Sequence, residues 1–185
     1  MGEIWEEIKR DCEGGSRRLV AEYGDRLYAA ALFLCPSAAD AEELVGRTFE
    51  RAVSRIGQFK PSGEFFGWLY VIMLNFRRMD LRRNQPHVVA VGTTSDLPDV
   101  ADTSFVDALS GVDAEAVRGA IRRLPCGLAE VLVLRFFEGR SMEEIGGILG
   151  IPVGTVKSRL HHAKAAFRTA FLEAPKGIAE VDHDR

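Results

Sequence analysis

Apolar residues recur along this chain with a helical period. Between residues 40 and 56 they fall at Ala41, Leu44, Val45, Phe49, Ala52, Val53 and Ile56, with Asp40, Glu43, Arg47 and Glu50 on the other side. That spacing predicts an amphipathic helix with one apolar stripe. A second helix is predicted from about Phe65 to Arg83, and an earlier one from Gly24 to Leu34, stopped by Pro36. On the wheel of the Phe65–Arg83 helix, Phe65, Trp68, Leu69, Ile72, Phe76 and Met79 share one side and read as core. Strand signals are nearly absent.

The pattern resumes near Ala114. Leu124-Pro125 suits a helix restart, since proline fits the first turn. The helix that follows runs through Val131, Leu132, Leu134 and Phe137 and stops at Gly139. Ser141 to Glu144 has the S-x-x-E form of a capping box, and it opens a short helix with Ile145, Ile148 and Leu149 inward. Gly150-Ile151-Pro152 reads as a tight turn. A last helix, about 153–171, would bury Val156, Leu160, Ala163 and Phe167. A short capped helix, a glycine turn and a longer helix make a helix-turn-helix.

Between these regions, residues 85–113 hold two prolines and five aspartates but no lysine or arginine. They read as a flexible acidic linker. The fold class expected is therefore all-α: two small helical domains, 1–84 and 114–172, with the linker between and a tail at 173–185.

Composition narrows the class further. With 46% hydrophobic and 28% charged residues in 185, the balance is that of a soluble globular chain. No apolar run reaches the ~18 residues of a membrane helix. The acidic start, Met1 to Glu7, lacks the apolar core of a secretory signal, so a cytoplasmic location is expected. Cys12, Cys35 and Cys126 have neither metal nor disulfide spacing. No metal site, cofactor or catalytic set is expected: there is no Ser/His/Asp arrangement, rationalised carboxylate pair or phosphate-binding glycine loop.

The net charge of −3 matters only when divided. Residues 1–84 are neutral overall, the linker is acidic, and residues 114–172 carry nine basic against five acidic groups. From Val153 through Phe171 there is no acid at all, while Lys157, Arg159, Lys164, Arg168, His161 and His162 are present. An all-basic outer face fits a polyanion, because each cation set near a phosphate releases a counterion. The start of such a helix reaches base edges in the major groove. Lys157, Ser158, His161 and His162 point away from the Val156/Leu160 stripe, and Arg159 adds to the basic face. The adjacent histidines lie ~100° apart on the helix, which disfavours a shared ion.

The first domain carries a second cationic feature. Six of the 16 aromatics lie between residues 59 and 76, followed by Arg77, Arg78, Arg82 and Arg83. Asn75, Arg78 and Arg82 form a polar stripe beside the core face. Arginine beside aromatic rings suits single-stranded or distorted nucleic acid. The loop Gln58 to Glu64, with Ser62-Gly63, could hold an unstacked base.

Taken in order, these blocks resemble bacterial RNA polymerase sigma factors of the extracytoplasmic-function group. The resemblance covers about residues 16–172. It rests on Ala41 to Val45 with Thr48-Phe49; on Phe66-Gly-Trp-Leu69 with Ile72, Asn75, Asp80 and Arg82-Arg83; and on Gly139 to Ile145 followed by Gly154-Thr-Val-Lys-Ser-Arg-Leu160. It implies a promoter-specificity subunit with no cofactor. The second domain (sigma-4) would read the −35 element through Lys157, Ser158, Arg159, His161 and His162. The first (sigma-2) would open and read the −10 element through Ser62, Gly63, Asn75, Arg78, Asp80, Arg82 and Arg83. Core polymerase would be met at its β′ coiled coil by Asp40, Glu43, Leu44, Val45 and Arg47, and at its β flap. An anti-sigma factor would cover the same surfaces. The family usually has Gln-Glu where this chain has Gly46-Arg47, and an Ala-plus-polar pair where it has Gly146-Gly147.

Two other readings compete. A helix-turn-helix regulator of the response-regulator type would need a receiver domain, and residues 1–84 lack its strands and acid cluster. A sigma mimic that titrates an anti-sigma factor would not need the basic faces.

Overall fold

The structure, a computed structural model, describes residues 3–60, 64–84, 105 and 111–173. Four helices form the first module: α1 (Ile4–Arg10), α2 (Cys12–Leu34), α3 (Ala38–Ser54) and α4 (Phe65–Asn84), with a 3-10 turn at Ile56–Gln58 after α3. Four more form the second: α5 (Ala114–Arg122), α6 (Cys126–Phe136), α7 (Met142–Leu149) and α8 (Val153–Leu172). No strand occurs among the described residues. Helix starts follow local chemistry. Ser37 caps α3 by accepting from the Asp40 amide, and Asp113 caps α5 by accepting from Ala116.

Two elements at the N-terminus go beyond the sequence reading. Helix α1 has no long period to announce it, yet Ile4 and Ile8, one turn apart, are buried. Helix α2 begins twelve residues before the predicted Gly24 and passes through Gly14 and Gly15. The reason lies in the crossing of α1 over α2. A Cβ on Gly15 would stand 2.6 Å from the Ile8 backbone. Only glycine admits that approach. The burial of the two isoleucines, ~1.5–3 kcal/mol each, offsets the weak helix propensity of the pair.

Helix α4 corrects a second expectation. Phe65 and Leu69 are buried as predicted, but Trp68, Ile72 and Phe76 are only half-buried, and Met79 is 45% exposed. The buried face instead adds Phe66, Tyr70, Met73 and Leu74. It is wider than one stripe because α4 is covered twice, by its own module and by the second. At Gly67 a Cβ would lie 3.0 Å from Cγ1 of Ile148 in α7. Helix α2 likewise packs on α5 and α6, and the rings of Phe33 and Phe137 stand 4.0 Å apart.

The second module matches its sequence pattern closely. Val156, Leu160, Ala163 and Phe167 of α8 are all buried. Helix α6 closes at Phe136, and Gly139 turns the chain at φ 64° while the Glu138 and Arg140 amides donate to the Val133 and Leu134 carbonyls. Most of the acidic segment 85–113 lies outside the described residues. Phe105 does not: it is buried, with ring centroids 4.5 Å from Phe136 and 5.2 Å from Phe167.

Candidate nucleic-acid interface

The helix-turn-helix is built tightly. Ser141 accepts from the Glu144 amide while Glu144 accepts from the Ser141 amide, closing the capping box. These hydrogen bonds to the carboxylate hold the Glu144 pKa below its ordinary value. Gly150 terminates α7 in the left-handed region at φ 66°. Gly146 matters for space: a Cβ there would lie 2.9 Å from the Ile151 carbonyl oxygen, so the turn closes over a bare glycine. Gly147 faces no such contact.

The turn delivers α8 with its first turns outward. Lys157 is exposed, and Ser158, His161 and His162 are half-exposed on the same end of the helix. The two histidine rings meet edge-on at 5.7 Å. Among the described residues no group of three or more His, Cys, Asp or Glu side chains is placed to hold a metal ion. Nε2 of His161 is buried and has no hydrogen-bond partner among the described residues. Arg159 leans back toward the start of α6, where a Cβ on Gly127 would lie 3.5 Å from its Nη1. Lys164 is buried at 7% exposure, so the basic face is narrower than the charge pattern indicated. It sits beside the Leu160/Ala163 stripe, and its carbon stem joins the core.

On the first module the expected residues divide. Asn75 is exposed and lines a groove of about 320 Å³ with Arg51, Arg55, Gln58, Trp68, Phe76 and Met79. Arg82 and Arg83 are exposed. Arg78 is not free: its Nε and Nη2 donate to both carboxylate oxygens of Glu130 in α6, at 2.9 and 2.6 Å. Asp80 is also engaged, accepting from Arg47 at 3.0 and 3.2 Å. Ser62 and Gly63 lie outside the described residues.

Two groove arginines escaped the sequence reading. Arg51 and Arg55 lie one turn apart at the end of α3 and its cap, and the Arg51 guanidinium lies 5.7 Å from the Phe76 ring centroid. Their i,i+4 spacing was visible, but basic residues at a helix C-terminus also suit the helix dipole, which hid them. Glu130 was missed too. Its only signal was a lone acid in the apolar run of α6.

Helix α3 presents Asp40 and Glu43 to solvent. Leu44 and Val45 face the module's own core, at 2% and 8% exposure, and have little surface to offer a partner. Arg47 lies 4.6 Å over the Phe76 ring and bridges α3 to α4. Its hydrogen bonds to Asp80 raise its pKa above the ordinary value. Its i,i+4 contact with Glu43 is longer, at 3.6 Å. A second, polar groove of about 310 Å³ runs beside it, lined by Cys35, Asp40, Glu43, Arg77, Asp80 and Arg83 among others.

Comparison with known proteins decides the family. The Sigma-70 region 2 model matches residues 19–87, and the Sigma-70 region 4 model matches residues 114–167. The ECF RNA polymerase sigma factor EcfG of Rhodopseudomonas palustris is 32% identical over 146 residues, 75% of this chain and 75% of that relative. This chain is an extracytoplasmic-function sigma factor. The sigma factor SigE of Mycolicibacterium smegmatis is 35% identical over 155 residues, 81% of this chain, which spans 59% of that longer relative. Among solved structures, CnrH in complex with the cytosolic domain of CnrY matches at TM-score 0.64 and 25% identity, covering 93% of this sigma factor and 97% of that chain. RpoE of Bartonella quintana, solved with the anti-sigma factor NepR, matches at TM-score 0.65 and 21% identity over 86% of this chain and 98% of that one. The two helical modules of the sigma factor thus have counterparts in fold as well as in sequence. No described helix is long and apolar enough to cross a membrane.

Proposed function

We propose that this sigma factor binds core RNA polymerase and directs initiation from a defined promoter class. The α8 face bearing Lys157, Ser158, His161 and His162 reads the −35 element. The α4 surface with Asn75, Arg78, Arg82 and Arg83, extended by Arg51 and Arg55, holds the −10 strand. Asp40, Glu43 and Gly46 on α3 meet the polymerase β′ coiled coil, and Leu44 and Val45 hold that helix from within. The modules divide as 1–84 and 114–172 about the acidic segment, which leads toward the polymerase active centre. Catalysis belongs to the polymerase, the location is the cytoplasm, and an anti-sigma protein controls access to these faces.

The observation that carries this reading is an acid-free recognition helix, held outward by a complete capping box and a left-handed glycine turn. A cationic helix so presented meets the major groove with phosphate contacts and base-edge contacts together. The test is run-off transcription from promoters mapped by transcript start sites after overexpression. Purified core polymerase plus this chain should yield one defined start. A transcript that appears only with another sigma present would refute the reading, and so would failure to bind core at all.

A further inference from the structure

We propose that Trp5 of α1 is a positioning residue for the groove that holds the −10 strand: it sets the ring and the amide that meet a base there. This rests on the promoter reading above and adds a residue that acts from outside the groove.

The path is a chain of rings. The Trp5 ring lies 5.0 Å from that of Phe59 and 6.2 Å from that of Phe65. Those two meet edge to face at 4.9 Å, and each is 5% exposed. Both then pack on Trp68, at 5.5 and 5.6 Å. All these separations fall within the range of about 4.5–7 Å over which aromatic pairs attract. Trp68 ends the chain, because it also lines the groove with Arg51, Arg55 and Asn75. A second route is shorter. Helix α1 packs on the 3-10 turn Ile56–Gln58, and Gln58 is another wall of the groove.

Other residues hold α1 in place. Ile8 crosses the bare Gly15, and Glu7 accepts from Arg18 of α2 at 2.7 Å. Trp5, near the start of the helix, is left to meet the rings. It is only half-buried, so it forms the outer wall of their cluster. Truncating it opens one side of two buried phenylalanines, and rings that relax into the space carry Trp68 and Gln58 with them. The groove offers an unstacked base three kinds of contact: the Trp68 ring to stack on, the Asn75 and Gln58 amides to read an edge, and arginines for the phosphate. Phosphate attraction survives a small shift, whereas edge reading depends on placement to within about 0.5 Å. Loss of Trp5 therefore costs base discrimination before it costs total affinity.

The test uses the full chain bound to core polymerase and two fluorescein-labelled single strands: the non-template −10 strand of the mapped promoter, and a scrambled one. The readout is the ratio of their dissociation constants, because partial unfolding weakens both alike and leaves the ratio unchanged. Trp5→Ala should lower that discrimination about tenfold, within the roughly 5- to 150-fold that one stacked base is worth. Core affinity should stay within about twofold, since Asp40 and Glu43 lie at the far end of α3 from Arg51. Trp5→Phe, which restores a ring, should recover the ratio to within about threefold of wild type. Gly15→Ala, which displaces α1 without altering any ring, should lower it as Trp5→Ala does. An unchanged ratio in Trp5→Ala would overturn the proposal and leave the promoter reading intact. So would a Trp5→Phe variant no better than Trp5→Ala. If Trp5→Ala fails to bind core, Trp5→Leu is read in its place by the same criteria. A wild-type holoenzyme that binds both strands equally would overturn the promoter reading itself.

Discussion

The bridge between Arg47 and Asp80 invites a quantitative test, because it ties α3 to α4 across the first module. Removing the cation by Arg47→Ala loses two charge-assisted hydrogen bonds at 3.0 and 3.2 Å and a guanidinium 4.6 Å over Phe76. Both partners are a little under one-third exposed, so solvent screens the pair. About 1 kcal/mol of coupling remains for the bidentate contact, between the exposed and buried limits. The ring contact adds about 0.5 kcal/mol. The single variant should therefore destabilise the first module by about 1.5 kcal/mol. Arg47→Glu should cost more, because two carboxylates would then face each other.

Both tryptophans, Trp5 and Trp68, belong to the first module, so intrinsic fluorescence during urea unfolding reports that module alone. A double-mutant cycle of Arg47→Ala and Asp80→Ala should return a coupling of about 1 kcal/mol. The swapped pair, Arg47→Asp with Asp80→Arg, should recover a good part of it. A coupling below about 0.3 kcal/mol would mean that the contact is a surface pair without consequence, and the argument that Arg47 braces α4 would fail.

Four further outcomes are expected. Gly146→Ala should weaken binding of a −35 duplex severalfold, since its Cβ would press on the Ile151 carbonyl. Gly147→Ala, which meets nothing, should instead stabilise α7 by about 0.5–1 kcal/mol in thermal unfolding. Lys157→Ala should lower duplex affinity by ~1–3 kcal/mol and reduce the salt slope by about one, measured by fluorescence anisotropy across a salt series. The capping box should also be pH-sensitive. Because the Glu144 pKa is lowered in the fold, its contribution is whole above the ordinary carboxylate value and is lost as pH falls through the lowered one. Hydrogen-exchange protection of α7 should decline in acid, and Glu144→Gln should flatten that dependence.

Much of this fold could be read from spacing. The α8 stripe, the Ser141–Glu144 cap and the Gly150 turn are local devices, fixed by residues three or four apart, and all stand where the pattern put them. The long-range features were hidden for an equally physical reason. Gly15 looks like a helix breaker until Ile8 is known to cross it. Tyr70 and Leu74 look like spill-over from an apolar stripe until a second module is packed against α4. Within the candidate site, Asn75, Arg82, Arg83 and Lys157 were legible as polar residues on an outer face. The partners of Arg78 and Asp80 were not, because each lies more than thirty residues away and no local rule links them. Arg47 likewise read as a solvent-facing residue of α3; its partner Asp80 sits on α4.

Phe105 sets how far the two halves can part. Its ring is seated between Phe136 and Phe167, so the second module starts there in mechanical terms, not at Ala114. Only the twenty residues 85–104 remain between that anchor and the end of α4, a contour of roughly 70 Å at most. One half confined within that radius of the other experiences it at an effective molarity on the order of 1 mM. An association of merely micromolar strength would then keep nearly every molecule folded upon itself. Lengthening the tether, without touching a single contact, should raise the fraction of molecules whose halves stand apart.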